Sequence, residues 1–457
     1  MKLTLQEIIA HLDCRTTGVA STGELTGVST DSRSVKAGEL FVALRGENFD
    51  GHDFVRQALS DGAVAALVDH NYPDVDVSAE KCVLHVPDTL KSYQDIARFY
   101  RAKLAPAVVA LTGSAGKTTC KEYVHAVLAL KYNVHKNIKS FNNHVGVPAT
   151  LLALKPEHDI LVAELGTSNF GEISHLSSLV EPNICLVLNI GYAHLEFLHS
   201  LDGVARAKME IFDFAADDNI AIYNADDAIL KRQHFPSNTV KTFGIQYPAD
   251  VHAKNLRCEQ NGCYHFDIDG TTFQLNIPGR HNIYNALAAI TVGTVFDIPL
   301  DRMKNAIEAV TSAEHRMTVL RTKNNILIDD AYNSNPGSCA AALATLADVA
   351  PGEGGRRIAV LGDMLELGQF SQLEHEKLAV VAQNNQIDAL YLLGEHTQHT
   401  AAKAKQLNIK FIHYTKDRHS LMADLTAFIA KNDVILIKGS RAMHMEDMVN
   451  ALKDESI

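Results

Sequence analysis

Residues 107–119 are a short apolar run that breaks, at Thr112, into Gly113-Ser114-Ala115-Gly116-Lys117-Thr118-Thr119. Residue types in this order suit a nucleotide phosphate. Small residues let backbone N–H groups curl around phosphate oxygens, Lys117 adds a point charge, and Thr118 offers its hydroxyl to Mg²⁺. Leu111 stands where a strict phosphate loop places its first glycine, so the pattern is a shortened one, Thr-Gly-x-x-Gly-Lys-Thr-Thr. A chance Gly-Lys-Thr on a surface loop is the competing reading. It is disfavoured because an apolar strand, a small-residue loop and a helical segment follow one another in the required order.

Other chemistry-bearing residues stand just after apolar strands. Glu164 follows a run ending at Ala163, and His194 closes the loop that follows the run ending at Leu188. A carboxylate binds Mg²⁺ directly, whereas an imidazole does so only when oxygens complete the shell; a satisfied loop histidine is the alternative for His194. Lys208 lies on a segment whose apolar residues Val204, Ala207, Ile211 and Phe212 keep helical spacing, which by position alone makes it a surface lysine. Asn282 and Asn285 fall in the first turn of a helix rich in small residues, as caps or as amides that read an adenine edge. Arg316 could meet a phosphate bidentately, and Asp330, at a strand end, could take ribose hydroxyls or orient water; both also read as ordinary loop residues. Lys438 and Arg441 suit a carboxylate-bearing ligand. Near the start, residues 29–33, with Ser32 and Arg33, the stretch from Gly38 to Gly46, and residues 49–54 combine hydroxyls, arginines and glycines. They could hold a phosphate, or be no more than turn-rich strand connections.

The elements that must position these groups suggest three α/β units. A chain of 457 residues exceeds one core, since domains run to roughly 100–200 residues. The first unit, 1–105, opens on an amphipathic helix and holds apolar strands at 40–44, 63–68 and 82–86. The second, 106–312, has continuous apolar strands at 108–111, 160–163, 184–188 and 220–223, as in a mostly parallel sheet buried on both faces. Within it, 250–278 alternates like a hairpin and predicts an antiparallel edge to that sheet. The third, 313–457, with strands at 326–328, 358–361, 389–393, 411–413 and 434–437, reads as a Rossmann-like doubly wound domain. Ligands of such sheets collect beyond the carboxyl ends of the strands, where most of the residues above fall.

Composition excludes several classes. A net charge of −12 argues against a general nucleic-acid surface, and no apolar run approaches membrane-spanning length. The first residues carry acids among their apolar ones, unlike a signal peptide, and seven cysteines without a Cys-x-x-Cys pair read as reduced thiols. A cytoplasmic location is expected.

Taken together, these pieces resemble the Mur ligases of peptidoglycan precursor synthesis, over nearly the whole chain. The resemblance rests on the order and spacing of residues 31–33 with 49–52, 112–119 with Lys121, 141–148, Glu164-x-Gly-x-Ser168, 189–194, Ala207-Lys208, Gly279-x-His281-Asn282-x-x-Asn285, 329–336, Glu366-Leu-Gly368 and 438–441. It points to the branch that joins D-alanyl-D-alanine to a UDP-N-acetylmuramoyl-tripeptide. An Asp-Asn-Pro-Arg motif expected of the diaminopimelate-adding branch is absent, and a folate ligase would lack the nucleotide-sugar unit. A phosphate-loop switch protein, the rival from another class, need not keep Lys117, Thr118, Glu164, His194 and Lys208 together.

The resemblance implies ATP-dependent amide formation through an acyl phosphate. It implies a UDP-sugar site in 1–105 around Ser32, Arg33 and Gly46, reached also by Asn142 and Asn143. It implies ATP on Gly113 to Thr119, with Asn282, Arg316 and Asp330 around it, and a C-terminal unit that closes the site and receives the dipeptide near Tyr332, Asn333 and Asn335. Two Mg²⁺ ions are implied, one on Thr118 and Glu164, a second on His194 and Lys208, the lysine carried as a CO₂-derived carbamate because an ammonium would repel the metal. Lys117, Glu164, His194 and Lys208 are the implied catalytic set. A monomer without nucleic-acid or membrane partners is expected, with the third residue of the tripeptide left open.

Overall fold

The computed structural model describes residues 1–46, 49–74 and 81–454. Its first sheet has five strands, in the order Arg15–Gly18, Cys82–Val86, Ala65–Asp69, Glu39–Val42, Gly27–Ser29, antiparallel only at the first pair. Strands 39–42, 65–69 and 82–86 are apolar and mostly buried, whereas edge strand 15–18 is Thr-rich and largely exposed and edge strand 27–29 is half-buried. Helix Thr89–Leu104, capped by Asp88, carries the chain into the next unit, and its Tyr100 hydroxyl donates to the Leu154 carbonyl at 3.0 Å.

The central sheet is parallel throughout. Its seven strands run Val251–His252, Thr239–Gly244, Ile220–Asn224, Ile184–Val187, Ala107–Thr112, Ile160–Glu164, Val134–Lys136. Strands 107–112, 160–164 and 184–187 are almost wholly buried, because helices cover both faces and leave each side chain an apolar neighbour. Ala107–Thr112 lies between Ile160–Glu164 and Ile184–Val187, so the strand order reverses around it. Three loops therefore leave the carboxyl edge side by side: 113–116, 165–168 and 188–194. Such a reversal opens a crevice for a ligand.

Residues 254–274 correct one expectation. They form their own antiparallel sheet, Lys254–Cys258, Tyr264–Ile268 and Thr271–Gln274, rather than an edge of the central one. The central sheet's edge is instead the short parallel strand Val251–His252. The small sheet buries Phe266 and Phe273, their rings stacked 5.4 Å apart, and its last strand packs against helix Leu300–Glu308.

The last sheet has six strands, Thr318–Arg321, Ile326–Asp330, Val434–Lys438, Arg357–Gly362, Ala389–Leu393 and Phe411–Thr415, parallel except for the first. Its carboxyl edge, with Asp330 opposite Lys438, turns toward the central crevice. Among the described residues no helix is long and apolar enough to cross a membrane. All seven cysteines are free thiols.

Candidate active site

One cleft of about 730 Å³ lies between the carboxyl edges of the central and C-terminal sheets, a volume suited to a nucleotide-sized ligand. Its floor is the phosphate loop. Gly116 stands at the N-cap of helix Lys117–Leu128 with φ of 83°, and a Cβ there would come within 2.5 Å of Asn285 Oδ1. Only glycine accepts both demands. The loop is braced by Asn189, whose Oδ1 accepts from Ala115 N and whose Nδ2 donates to Ala115 O, both at 3.0 Å, and by Ser114 Oγ, which accepts from Gly191 N at 2.9 Å. Its backbone N–H groups at the helix start thus face the cleft in a fixed frame.

Lys117 Nζ donates to Gly113 O at 2.8 Å, folded back over its own loop. Burial, with Arg316 adding repulsion, lowers its pKa, while Glu164 opposes the shift. Glu164 itself is buried at the end of its strand and is held from two sides. Thr118 Oγ1 donates to Oε2 at 3.0 Å, and Asn142 Nδ2 to Oε1 at 2.8 Å. Buried Lys121, whose Nζ donates to Asn137 O and lies 3.8 Å from Glu164 Oε2, adds positive charge behind it.

Lys208 corrects the surface reading that its helix position suggested. It is 1% exposed on helix Leu201–Met209, and its amine is pushed well below the usual lysine range by burial first and by Lys117 second, Glu210 acting against both. Helical spacing identifies the apolar stripe but not a second packed face, and this helix has one. His194 lines the cleft in a left-handed conformation, φ 53°, with Nδ1 2.7 Å from Glu366 Oε2 of the C-terminal unit.

The opposite wall comes from the C-terminal unit. Arg316 lies with its guanidinium 4.0 Å above the Tyr332 ring and donates to Ser140 Oγ at 2.9 Å, beside the phosphate loop. Asn335 caps helix Pro336–Asp348 through Ser338 N and sends its Nδ2 to Ser114 O at 3.1 Å. Asp330 and Asn333 line the cleft, but Asp330 Oδ2 accepts from buried Lys438 Nζ at 2.5 Å, and the same amine donates to Asn333 O at 2.8 Å. Lys438 is therefore a structural cation. Lys438 thus has Asp330 as its carboxylate partner in this structure, and Arg441, read with it from sequence as a basic pair, ion-pairs with Glu446.

Asn282 is buried at the cleft, donating to Pro278 O at 2.8 Å and accepting from Asn285 Nδ2 at 2.9 Å. Beside it stand Tyr284, Asp226 and Gln246, which sequence reasoning passed over. Tyr284 donates to Asp226 Oδ2 at 2.9 Å, and the carboxylate also gathers the N–H groups of residues 245–247. An Asn-Ala-Asp sequence after a strand was the available signal. Ser140, the Arg316 partner, carried none.

Ser32, Arg33 and Gly46 lie apart from this cleft, in the first unit. Arg33 is exposed and forks onto Asp31, with Nη2 2.7 Å from Oδ2. Asn142 and Asn143, expected at the sugar-nucleotide site, line the cleft: Asn142 on Glu164, Asn143 accepting from Gly146 N at 2.8 Å at the start of helix Gly146–Leu152.

A phosphate loop, a buried carboxylate paired with the loop hydroxyl, and a second α/β unit bringing an arginine over both define an ATP-using ligase. The sequence belongs in that class throughout. It matches the models of the Mur ligase middle domain over residues 111–293, the Mur ligase glutamate ligase domain over 315–441, and the Mur ligase family catalytic domain over 24–101. UDP-N-acetylmuramoyl-tripeptide–D-alanyl-D-alanine ligases of Bacillus subtilis and Escherichia coli are each 37% identical to it, over 93% and 99% of both chains. Crystal structures of MurF from Acinetobacter baumannii (TM-score 0.88, 29% identity, 99% of both chains) and of MurF from Thermotoga maritima with ADP (TM-score 0.82, 27% identity, 94% of this chain and 97% of that one) share its architecture. The chain belongs to the Mur ligase family, in the branch of the UDP-N-acetylmuramoyl-tripeptide–D-alanyl-D-alanine ligases.

Proposed function

We propose that this chain joins the amino group of D-alanyl-D-alanine to the terminal carboxylate of a UDP-N-acetylmuramoyl-tripeptide at the expense of ATP. The observation that carries the reading is the convergence, around one cleft, of Lys117, Thr118 and Glu164 from the central unit with Arg316 and Asn335 from the C-terminal unit. A carboxylate is too poor an electrophile for an amine, so its oxygen first takes the γ-phosphoryl group of ATP. The amine then attacks the acyl carbon, the C–O bond to phosphate breaks, and inorganic phosphate leaves with the oxygen. Lys117 and Arg316 would stabilise charge spreading over the transferring group, and the two facing walls would keep water from the acyl phosphate.

The donor set fits magnesium. Thr118 Oγ1 and Glu164 Oε2 stand 3.0 Å apart, which suits adjacent ligands of an octahedral ion with bonds of about 2.1 Å. Bound there, the ion would neutralise phosphate charge. Among the described residues no three His, Cys, Asp or Glu side chains cluster as a ready metal site, so oxygen ligands from nucleotide and water must complete the shell. Lys208 supports the carbamate reading: burial holds its amine toward the neutral form that can attack CO₂, and the adduct would be a carboxylate able to hold a second ion together with His194. Asn282 would sit at the adenine, Asp330 near the ribose, and Tyr332, Asn333 and Asn335 by the dipeptide.

The units 1–105, 106–312 and 313–457 would then serve as UDP-sugar, ATP and closing domains, with Ser32, Arg33 and Gly46 at the uridine diphosphate and Asn143 where the tripeptide enters. Asn142, given its bond to Glu164, would serve the phosphates as well. The test is heavy-isotope oxygen placed in the tripeptide's terminal carboxylate. One labelled oxygen should appear in the released phosphate; unlabelled phosphate would rule out the acyl phosphate.

A further inference from the structure

The loop carrying His194 is gripped on two sides. Toward the phosphate loop, Asn189 brackets Ala115 and Gly191 N donates to Ser114 Oγ. Toward the C-terminal unit, Glu196 N donates to Glu366 O at 3.1 Å, Lys377 Nζ lies 5.2 Å over the Tyr192 ring, and the Glu366 carboxylate reaches His194 Nδ1. That ring nitrogen is shut off from solvent, and among the described residues no hydrogen-bonding group other than this carboxylate reaches it. The 2.7 Å approach is an ion-pair contact that lies off the ring N–H axis.

Glu366 is itself fixed from behind. Asp363 accepts from the N–H groups of Glu395, His396 and Thr397, His375 Nε2 accepts from Met364 N at 3.1 Å, and Ser440 Oγ accepts from Leu365 N at 2.9 Å. Glu366 then leaves this anchored turn with φ of 61°, a conformation that costs a side-chain-bearing residue of order 1 kcal/mol or more. Gly368 follows with φ 50°, and a Cβ there would stand 3.2 Å from the Glu196 Cα. Strain and close approach fall together at the one place where the two units meet His194.

We propose that Glu366 is a positioning residue, which orients the His194 imidazole from across the domain boundary. A carboxylate on Nδ1 fixes the proton there and leaves the other ring nitrogen as an acceptor toward the cleft, the arrangement that prepares a histidine to bind a cation. Because the carboxylate belongs to the C-terminal unit, His194 is set only when that unit is seated. Seating and completion of the cation site become one event. The inference rests on the reading of His194 as a metal ligand.

The test is Mn²⁺ binding to the full chain with ADP, followed by electron paramagnetic resonance, in E366A, E366Q, H194A, the E366A/H194A double variant and K377A. E366A should weaken one class of Mn²⁺ site about tenfold or more, E366Q should recover part of that loss through its amide oxygen, and the double variant should match H194A. K377A, which removes the Lys377–Tyr192 contact but leaves Glu366 and the other contacts that seat the C-terminal unit, should bind as the unaltered chain does. Unchanged Mn²⁺ affinity in E366A beside a loss in H194A would overturn the proposal alone, as would an equal loss in K377A. Unchanged affinity in H194A would overturn the metal-ligand reading beneath it.

Discussion

Two neighbouring lysines differ in how far burial pushes them toward the neutral amine. Burial lowers the pKa of both, but Lys117 keeps a hydrogen bond to Gly113 O and has Glu164 nearby to oppose the shift, while Lys208 has Lys117 as a neighbour and is driven well below the usual lysine range. K117A should lower phosphate release by about a thousandfold, on the scale of losing a key phosphoryl-stabilising cation, while UDP-sugar binding measured by calorimetry stays within error. Loss of that binding would mean that the two sites are not separate. K208A should be comparably inactive, and acetate or bicarbonate should restore part of its activity by supplying the missing carboxylate; K208A retaining full activity would remove the carbamate from the account. At this scale Lys117, Thr118 and Glu164 were legible because a motif and a strand end name them. The burial of Lys208 was not legible, since helix periodicity put it on the surface, and Ser140 was invisible because a serine on a loop carries no signal until Arg316 is seen to reach it.

The phosphate loop depends on elements that tolerate little change. G116A would place a Cβ at φ 83° against Asn285 Oδ1, so a stability loss of about 1–3 kcal/mol by denaturant unfolding, with loss of ATP binding, is expected. Stability equal to the unaltered chain would show that the loop adapts. Elsewhere, burial and the stacked ring of His158 hold His135 at about 4, below its ordinary 6.5. The folded state therefore resists a proton that the unfolded chain takes up. Stability is full above about 6.5 and falls as pH drops toward 4, by on the order of 1–2 kcal/mol between pH 7 and 4.5. H135Q should flatten that slope in unfolding curves at the two pH values; an identical slope would assign it to other groups. Buried strands such as 160–164 were readable from their apolar runs, while Arg15–Gly18, Val134–Lys136 and Thr318–Arg321 were not, because short edge strands that are exposed or only half-buried lack a continuous apolar run. The separate sheet at 254–274 went unread for a different reason. Alternation shows that a hairpin has one apolar face, not which surface covers it.

At the scale of the molecule, the three-unit α/β architecture was legible in the spacing of apolar runs, but the seating of the C-terminal unit was not. No local pattern predicts that Asn335 will reach Ser114 O, Arg316 Ser140, or Glu366 His194. These contacts make the C-terminal unit a wall of the site rather than an appendage. N335A should cost about 1 kcal/mol through the lost helix cap and also lower kcat; a stability loss with unchanged kcat would confine Asn335 to capping. The central claim, that this cleft activates a tripeptide carboxylate for attack by a dipeptide amine, is tested most directly by steady-state phosphate release with ATP, UDP-N-acetylmuramoyl-tripeptide and D-alanyl-D-alanine, omitting each in turn. Sustained release should require all three. Release that continues without D-alanyl-D-alanine would contradict the account.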